Sequence, residues 1–214
     1  MSEAGEEPIL LEADAGDDPF ALFDRWYREA EAADFYLPDA MMLATASLDG
    51  VPSARMVLLK GYGPEGFVLF TNYGSRKAAE LDANPRAALV LHWNTLHRQV
   101  RVTGRVERTS REESEAYFRT RPRGSQIAAW ASRQGTAIED RDALERRFAR
   151  HEEEFADGDV PLPPFWGGYR VIPDTIEFWQ GRANRMHDRL VFTREPGGKP
   201  AAETGAWRVT RLSP

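Results

Sequence analysis

The chain has 214 residues and a mass of 24.2 kDa, with 42% hydrophobic and 29% charged residues, a size and balance that fit one globular domain and exclude a disordered chain. The net charge of −6 argues against general nucleic-acid binding, and no apolar run approaches the roughly 20 residues of a membrane-spanning helix. The absence of cysteine excludes disulfides, thiolate nucleophiles, thiolate zinc sites and iron–sulfur clusters.

Residues 1–17 read as a flexible acidic arm. Glu3, Glu6, Glu7, Glu12, Asp14, Asp17 and Asp18 fall in the first 18 residues with no Lys or Arg among them. The start lacks the basic and apolar stretches of a signal peptide, so the cytoplasm is the expected setting. Residues 18–214 read as a single domain. Asp18-Pro19 predicts an N-cap and a proline in the first helical turn, opening an amphipathic helix to about residue 33 with Phe20, Phe23, Trp26, Tyr27 and Ala30 on one face.

The period then changes. Residues 41–47 and 52–60 flank Asp49-Gly50 and predict a β-hairpin. Residues 61–66 read as a turn and 67–71 as a third strand. Arg76 to Ala83 reads as a short helix stopped by Asn84-Pro85. Residues 87–93 and 99–108 are two further strands. Ser110-Arg111-Glu112-Glu113 is a capping box opening a helix to about Arg119. Residues 125–132 and 139–155 read as helices, followed by a Pro-rich loop and then the strand-like segments YRVIP, TIEFWQ, RLVFT and WRVTRL. There is no βαβ alternation and no repeat. The pattern predicts a mainly antiparallel β-barrel with peripheral helices, its final strands closing the sheet begun by the first.

Three segments could carry chemistry. In the first, Arg55 and Lys60 flank an apolar strand, and Arg76 and Lys77 open a helix after Gly74-Ser75. Unpaired N–H groups at a helix start, together with Arg and Lys, suit a phosphate; a solvated helix start with ordinary surface charges remains the alternative. Lysine is otherwise scarce: only Lys60, Lys77 and Lys199 occur. The second segment groups Tyr117, Arg121, Arg123 and Ser125 around Pro122, with Ser125 able to cap the next helix. It reads as a second phosphate or carboxylate site or as a solvated linker. In the third, Trp179 precedes Arg185, His187 and Arg189, which share one face if a strand begins early. Such a density of cations beside an aromatic ring suits a site lining. The four histidines show no metal-ligand spacing, and G-x-S-x-G, Walker A and G-x-G-x-x-G are all absent.

The strings RMVLLK (55–60), FTNYGSRK (70–77), RQVRVTG (98–104), YFRTRPRGSQIAAWAS (117–132), PLPPFWGGYRV (161–171) and FWQGRANRMHDR (178–189) resemble the pyridoxamine/pyridoxine 5′-phosphate oxidase family, in order from about Asp18 to Pro214. The resemblance implies an antiparallel split β-barrel, a homodimer, and FMN bound at the subunit interface. It places FMN against Arg55, Met56, Val57, Leu58, Leu59 and Lys60, against Phe70 and Thr71, and against Arg76 and Lys77. Gln99, Gln134, Gly135, Trp179 and Arg189 complete that pocket, largely from the partner subunit. Gly135 stands where the family often has serine, leaving a backbone N–H in place of a hydroxyl. The substrate phosphate falls to Lys60, Tyr117, Arg121 and Ser125, and the substrate ring to Arg185, Met186 and His187, with Arg185 and His187 as the catalytic pair. The implied reaction oxidises pyridoxamine 5′-phosphate or pyridoxine 5′-phosphate to pyridoxal 5′-phosphate with O2 as acceptor. Rival readings are a phenazine-pathway oxidase or flavin reductase on the same barrel, and a non-catalytic flavin- or pyridoxal-phosphate-binding protein. No metal, nucleic acid or membrane partner is expected.

Overall fold

The computed structural model describes residues 9–195 and 206–214. Its centre is one antiparallel sheet of nine strands, in the order β2-β1-β5-β6-β7-β4-β3, with β8 on β7 and β9 on β8. The strands are β1 (Ala40–Ala46), β2 (Pro52–Leu58), β3 (Gly61–Gly63), β4 (Gly66–Asn72), β5 (Arg86–Trp93), β6 (Arg98–Arg108), β7 (Trp166–Gln180), β8 (Asp188–Arg194) and β9 (Trp207–Arg211). Six α-helices among the described residues accompany them: α1 (Glu12–Ala15), α2 (Pro19–Ala32), α3 (Arg76–Ala83), α4 (Arg111–Thr120), α5 (Arg123–Ala131) and α6 (Arg141–Glu154). The architecture is the mainly antiparallel split barrel with peripheral helices that the sequence implies.

The closure differs from expectation. Residues 61–66 are not a simple turn, because β3 forms a short hairpin with β4. Leu59 N–H donates to Asp39 O and Lys60 N–H to Val68 O, each at 2.8 Å. The chain therefore turns a corner from β2, paired with β1, into β3, paired with β4, and this corner joins the two ends of the sheet path. Of the expected final strands, β7 joins β6 to β4 and so helps to close the sheet, whereas β8 and β9 do not close it. They extend it from the C-terminal half of β7, whose N-terminal half pairs with β4. YRVIP and TIEFWQ are one continuous strand despite Pro173. That proline sits opposite Gly104 at a register shift, where no ladder N–H is required. A Cβ on Gly104 would lie 2.0 Å from Ile172 O, so only glycine permits this approach.

Helix α2 follows its sequence signals. Asp18 accepts from Phe20 N–H at 2.9 Å, and Pro19 occupies the first turn. Its apolar face meets the barrel core: Phe23 packs edge-on against Phe67 at 5.1 Å, and Trp26 against Phe178 at 5.3 Å. Full burial of a side chain such as Phe23 is worth about 1.5–3 kcal/mol. A second apolar cluster joins Phe118, Ile127, Val160, Leu162 and Trp166 beneath α4, α5 and the Pro-rich loop. The capping box of α4 is half made. Ser110 accepts from Glu113 N–H, but the Glu113 carboxylate is drawn to Arg170 at 2.8 and 2.9 Å.

Residues 1–8 of the expected arm lie outside the described residues. The remainder of that arm docks on the barrel. Leu10 is 3% exposed, its N–H donates to Asp188 Oδ2 and its carbonyl accepts from Arg211 Nη2. Glu12 pairs with the same guanidinium at 2.8 and 2.9 Å.

Candidate active site

A cavity of about 780 Å³ opens beside β2, β4, α3, α4 and α5. It gathers Arg55, Met56, Val57, Leu58, Lys60, Phe70, Thr71, Arg76, Lys77, Tyr117, Arg121, Gln134 and Gly135 from the sequence-predicted set. Arg55, Lys60, Arg76 and Lys77 of the first basic segment thus share one space with Tyr117 and Arg121 of the second, whereas Arg123 and Ser125 do not line it, Arg123 donating instead to the carbonyls of Phe155 and Gly158. Leu59 does not line it, because the corner after β2 turns that side chain into the core.

Lys77 is buried at the start of α3, behind the Ser75 cap. Its Nζ donates to Gln134 Oε1 at 3.0 Å, to Thr71 Oγ1 at 3.1 Å and to Ser75 Oγ at 3.3 Å. Burial, helped by the like charge of Arg55, lowers its pKa from the ordinary lysine value. Arg55 is held by Leu43 O, by the hydroxyls of Thr45 and Ser53, and by Glu80. Arg76 pairs with Glu80 at 2.8 Å, and Lys60 with Asp39 at 2.6 Å.

The other side of the cavity is aromatic. Tyr117 stacks on Phe70 with centroids 4.1 Å apart, and Phe70 lies parallel to Trp166 at 5.5 Å. Arg121 spreads over Trp166 at 4.8 Å and over Phe118 at 5.5 Å. Its Nη1 is buried with no hydrogen-bond partner among the described residues, and burial lowers its pKa. A buried, unmatched guanidinium N–H costs free energy unless an acceptor arrives.

Ser125 is placed differently from expectation. Helix α5 begins two residues before it, so Ser125 lies within the first turn, its N–H bonded to Pro122 O, and caps nothing. Gln134, expected largely from a partner subunit, meets Lys77 within the chain. Gly135 carries φ +85°, a conformation that favours glycine over serine.

The third segment lies apart from this cavity. Gln99 pairs with Trp179 across β6 and β7, and Trp179 with Arg189 across β7 and β8. Arg189 forms an ion pair with Glu177 at 2.8 Å. His187 packs on Trp179 at 4.7 Å, and its Nδ1 accepts from Arg182 N–H at 3.1 Å. That bond leaves the ring proton of the neutral form on Nε2. Arg185, His187 and Arg189 do not alternate along one strand. Arg185 ends a 3-10 turn (Ala183–Arg185), β8 begins only at Asp188, and Asn184 and Arg185 adopt φ +56° and +61°. Two successive left-handed non-glycine residues throw Met186 outward, where it is 68% exposed.

Sequence reasoning missed Trp166, Ser53 and Ser75 as lining residues, and Glu80 beneath them. The Arg76–Glu80 spacing of four is a readable helical ion pair; its reach to Arg55 on β2 is not. Among the described residues, no group of three or more His, Asp or Glu is placed to hold a metal, and no helix is long and apolar enough to cross a membrane.

The pyridoxamine 5′-phosphate oxidase family model matches residues 29–154, and that of the pyridoxine 5′-phosphate oxidase C-terminal dimerisation region matches residues 166–214. A curated relative from Rubrobacter xylanophilus, named pyridoxine/pyridoxamine 5′-phosphate oxidase, is 58% identical over 96% of this chain and 91% of its own length. One of the same name from Burkholderia multivorans is 57% identical over 96% of this chain and 93% of its own. Among solved structures, PhzG from Burkholderia lata 383, in complex with tetrahydrophenazine-1-carboxylic acid, is similar with a TM-score of 0.88 and 29% identity, covering 98% of this chain and all of that one. A pyridoxamine 5′-phosphate oxidase-related, FMN-binding protein from Nostoc punctiforme shares the fold, with a TM-score of 0.72 and 15% identity over 92% of this chain and 98% of that one. With matched models over most of its length and relatives more than half identical nearly end to end, the chain belongs to the pyridoxamine 5′-phosphate oxidase family.

Proposed function

We propose that this protein is an FMN-dependent oxidase of the cytoplasm that converts pyridoxamine 5′-phosphate or pyridoxine 5′-phosphate to pyridoxal 5′-phosphate, with dioxygen as acceptor, acting as a homodimer. The observation that carries the reading is a single cavity holding two cationic groups from different elements. One is Arg55, Arg76 and Lys77 on β2 and α3; the other is Arg121 between α4 and α5. Two such groups match a phosphorylated cofactor and a phosphorylated substrate. The names of the relatives support the same substrates.

The residues present fit FMN. Lys77 and the Ser75 hydroxyl sit at the N-terminus of α3, where charge and dipole favour a phosphate. When bound, FMN would take a hydride from substrate C4′ and pass the electrons to dioxygen, giving hydrogen peroxide. Arg121 Nη1 offers the substrate phosphate a donor that has no competing partner among the described residues. Tyr117 stands beside it with its hydroxyl, and Lys60 exchanges Asp39 for the incoming anion. Ser125, half-buried in the first turn of α5, is the remaining contact in this assignment. Fixing the phosphate restricts the substrate before reaction, which lowers the entropic part of the barrel's catalytic task. With the amine substrate, the imine formed by oxidation hydrolyses to aldehyde and ammonia.

Gln99, Trp179, Arg185, Met186, His187 and Arg189 do not line their own chain's cavity. In this reading they complete the cavity of a second copy. All but Gln99 fall in the segment matched by the dimerisation model. Arg185 and His187 then flank the substrate ring.

A second reading, a phenazine-type oxidase, is favoured by the likeness to PhzG, whose bound tetrahydrophenazine carries a carboxylate and no phosphate. Anaerobic mixing separates the two. Bleaching of the flavin absorbance by pyridoxamine 5′-phosphate, with no bleaching by tetrahydrophenazine-1-carboxylic acid, supports the first reading; the reverse supports the second.

A further inference from the structure

Among the described residues, Glu80 is the one carboxylate that touches two of the cavity's cations, and it is 7% exposed. Its Oε2 accepts from Thr45 and Ser53, each at 2.5 Å, and pairs with Arg55 Nη2 at 3.3 Å; its Oε1 accepts from Arg76 Nε at 2.8 Å. Every contact of Arg55 runs to its Nη1 and Nη2, and the partners Thr45, Ser53 and Glu80 also bind one another. Glu80 does not line the cavity. It lies on the core-facing side of α3, one turn beyond Lys77, where Ala78 and Leu81 anchor the helix to the barrel.

The arrangement answers a physical problem. Arg55 and Lys77 repel each other across a half-buried space, and that repulsion adds to the larger effect of burial in lowering the Lys77 pKa. Without a counter-charge, Arg55 would gain by swinging out to water, and Arg76, already 68% exposed, would lose the tether that keeps it at the cavity. A carboxylate lining the cavity would repel a phosphate, whereas one engaged by four donors behind the cations holds them in place. We propose that Glu80 is a positioning residue for the phosphate-binding group: it fixes Arg55 of β2 and Arg76 of α3 on a shared carboxylate, so that both stand ready beside Lys77 before an anion arrives. The inference rests on the reading of this cavity as an FMN site, and it adds a residue that never touches the cofactor.

The test compares FMN with riboflavin, which has the same ring system and lacks the phosphate. Affinities of both for the wild type and Glu80→Gln are measured by quenching of flavin fluorescence. Glu80→Gln keeps size and shape and removes the charge. Weakening of FMN by about tenfold, with riboflavin unchanged, is the expected result. Unchanged or tighter FMN binding would overturn the inference, because the carboxylate would then be only a brake on anion affinity. Equal weakening of both flavins would also overturn it, by reducing Glu80 to a general packing role. Thr45→Val gives a second arm should Glu80→Gln fold poorly: it cuts the bonds to Glu80 and Arg55 without changing charge, and the same FMN-selective loss is expected. A wild type that binds both flavins equally would sink the phosphate reading itself, and the inference with it, so the two failures are distinct.

Discussion

Lys77 and Gln134 lie 57 positions apart, and Lys77 Nζ donates to Gln134 Oε1 at 3.0 Å. This contact ties the start of α3 to the turn after α5 and closes one side of the cavity. Lys77 also reaches Thr71 on β4, so its ammonium sits where three segments meet.

Lys77→Ala is therefore expected to weaken FMN more than it changes the substrate KM at saturating FMN. Loss of a charge-assisted phosphate contact costs about 1.5–3 kcal/mol, or about ten- to a hundredfold in affinity. A flavin titration checks this, and unchanged affinity would move the phosphate site away from α3.

Arg121→Ala should act on the substrate instead. A phosphate remote from C4′ is held alike in the ground and transition states, so KM for the phosphorylated substrate should rise at least about tenfold while kcat stays within about twofold. Steady-state kinetics at saturating FMN show the split. A fall in kcat with unchanged KM would contradict the role read from the buried, unmatched Nη1.

The segment from Ile9 to Ala15 is part of the folded body. Leu10 is buried against the barrel, and both its backbone groups are bonded to residues about 180 and 200 positions away. Leu10→Ala should cost about 2–3 kcal/mol and lower Tm by about 5–10 °C, measured by thermal unfolding. Deletion of residues 1–15 should cost at least as much. An unchanged Tm would mean that the segment detaches in solution.

Acid should erode stability through Glu80 and Glu12. Hydrogen bonds from Ser53 and Thr45, with help from Arg76, pull the Glu80 pKa from 4.5 down to about 2; the bond from Arg211 does the same for Glu12. A depressed folded-state pKa means that the unfolded chain binds the proton more readily. The stabilisation is thus present above about 4.5 and is lost as pH falls toward 2. Unfolding midpoints across that window should fall less steeply for Glu80→Gln than for the wild type. Parallel slopes would show that these bonds do not persist in solution.

Much of the fold is written in local signals. Asp18-Pro19, Asp49-Gly50 and Ser75 each act within a few residues, and each sits where its own chemistry places it. The pairing of Tyr117 with Arg121 is legible within one short string, but the sequence reads the Arg55/Lys77 and Tyr117/Arg121 groups as two anion sites, and only the fold brings them to one cavity. What escaped depends on distant partners or unusual backbone. The corner at Leu59 rests on bonds to Asp39 and Val68. The docking of Leu10 rests on Arg211, near the far end of the chain. The row Arg185, His187 and Arg189 reads as an alternating strand until Asn184 and Arg185 turn left-handed, a conformation that asparagine tolerates but that Arg185 does not announce. Pro173 suggests a strand break, and only the bulge at Gly104 shows why none occurs.

Protein saturated with FMN, mixed in air with pyridoxamine 5′-phosphate while peroxide and pyridoxal 5′-phosphate are followed together, tests the assigned activity most directly. Both products should form in equal amounts and at a rate that falls sharply for Arg121→Ala at low substrate. Bound flavin with neither peroxide nor aldehyde formed, from pyridoxamine 5′-phosphate or from pyridoxine 5′-phosphate, would contradict it.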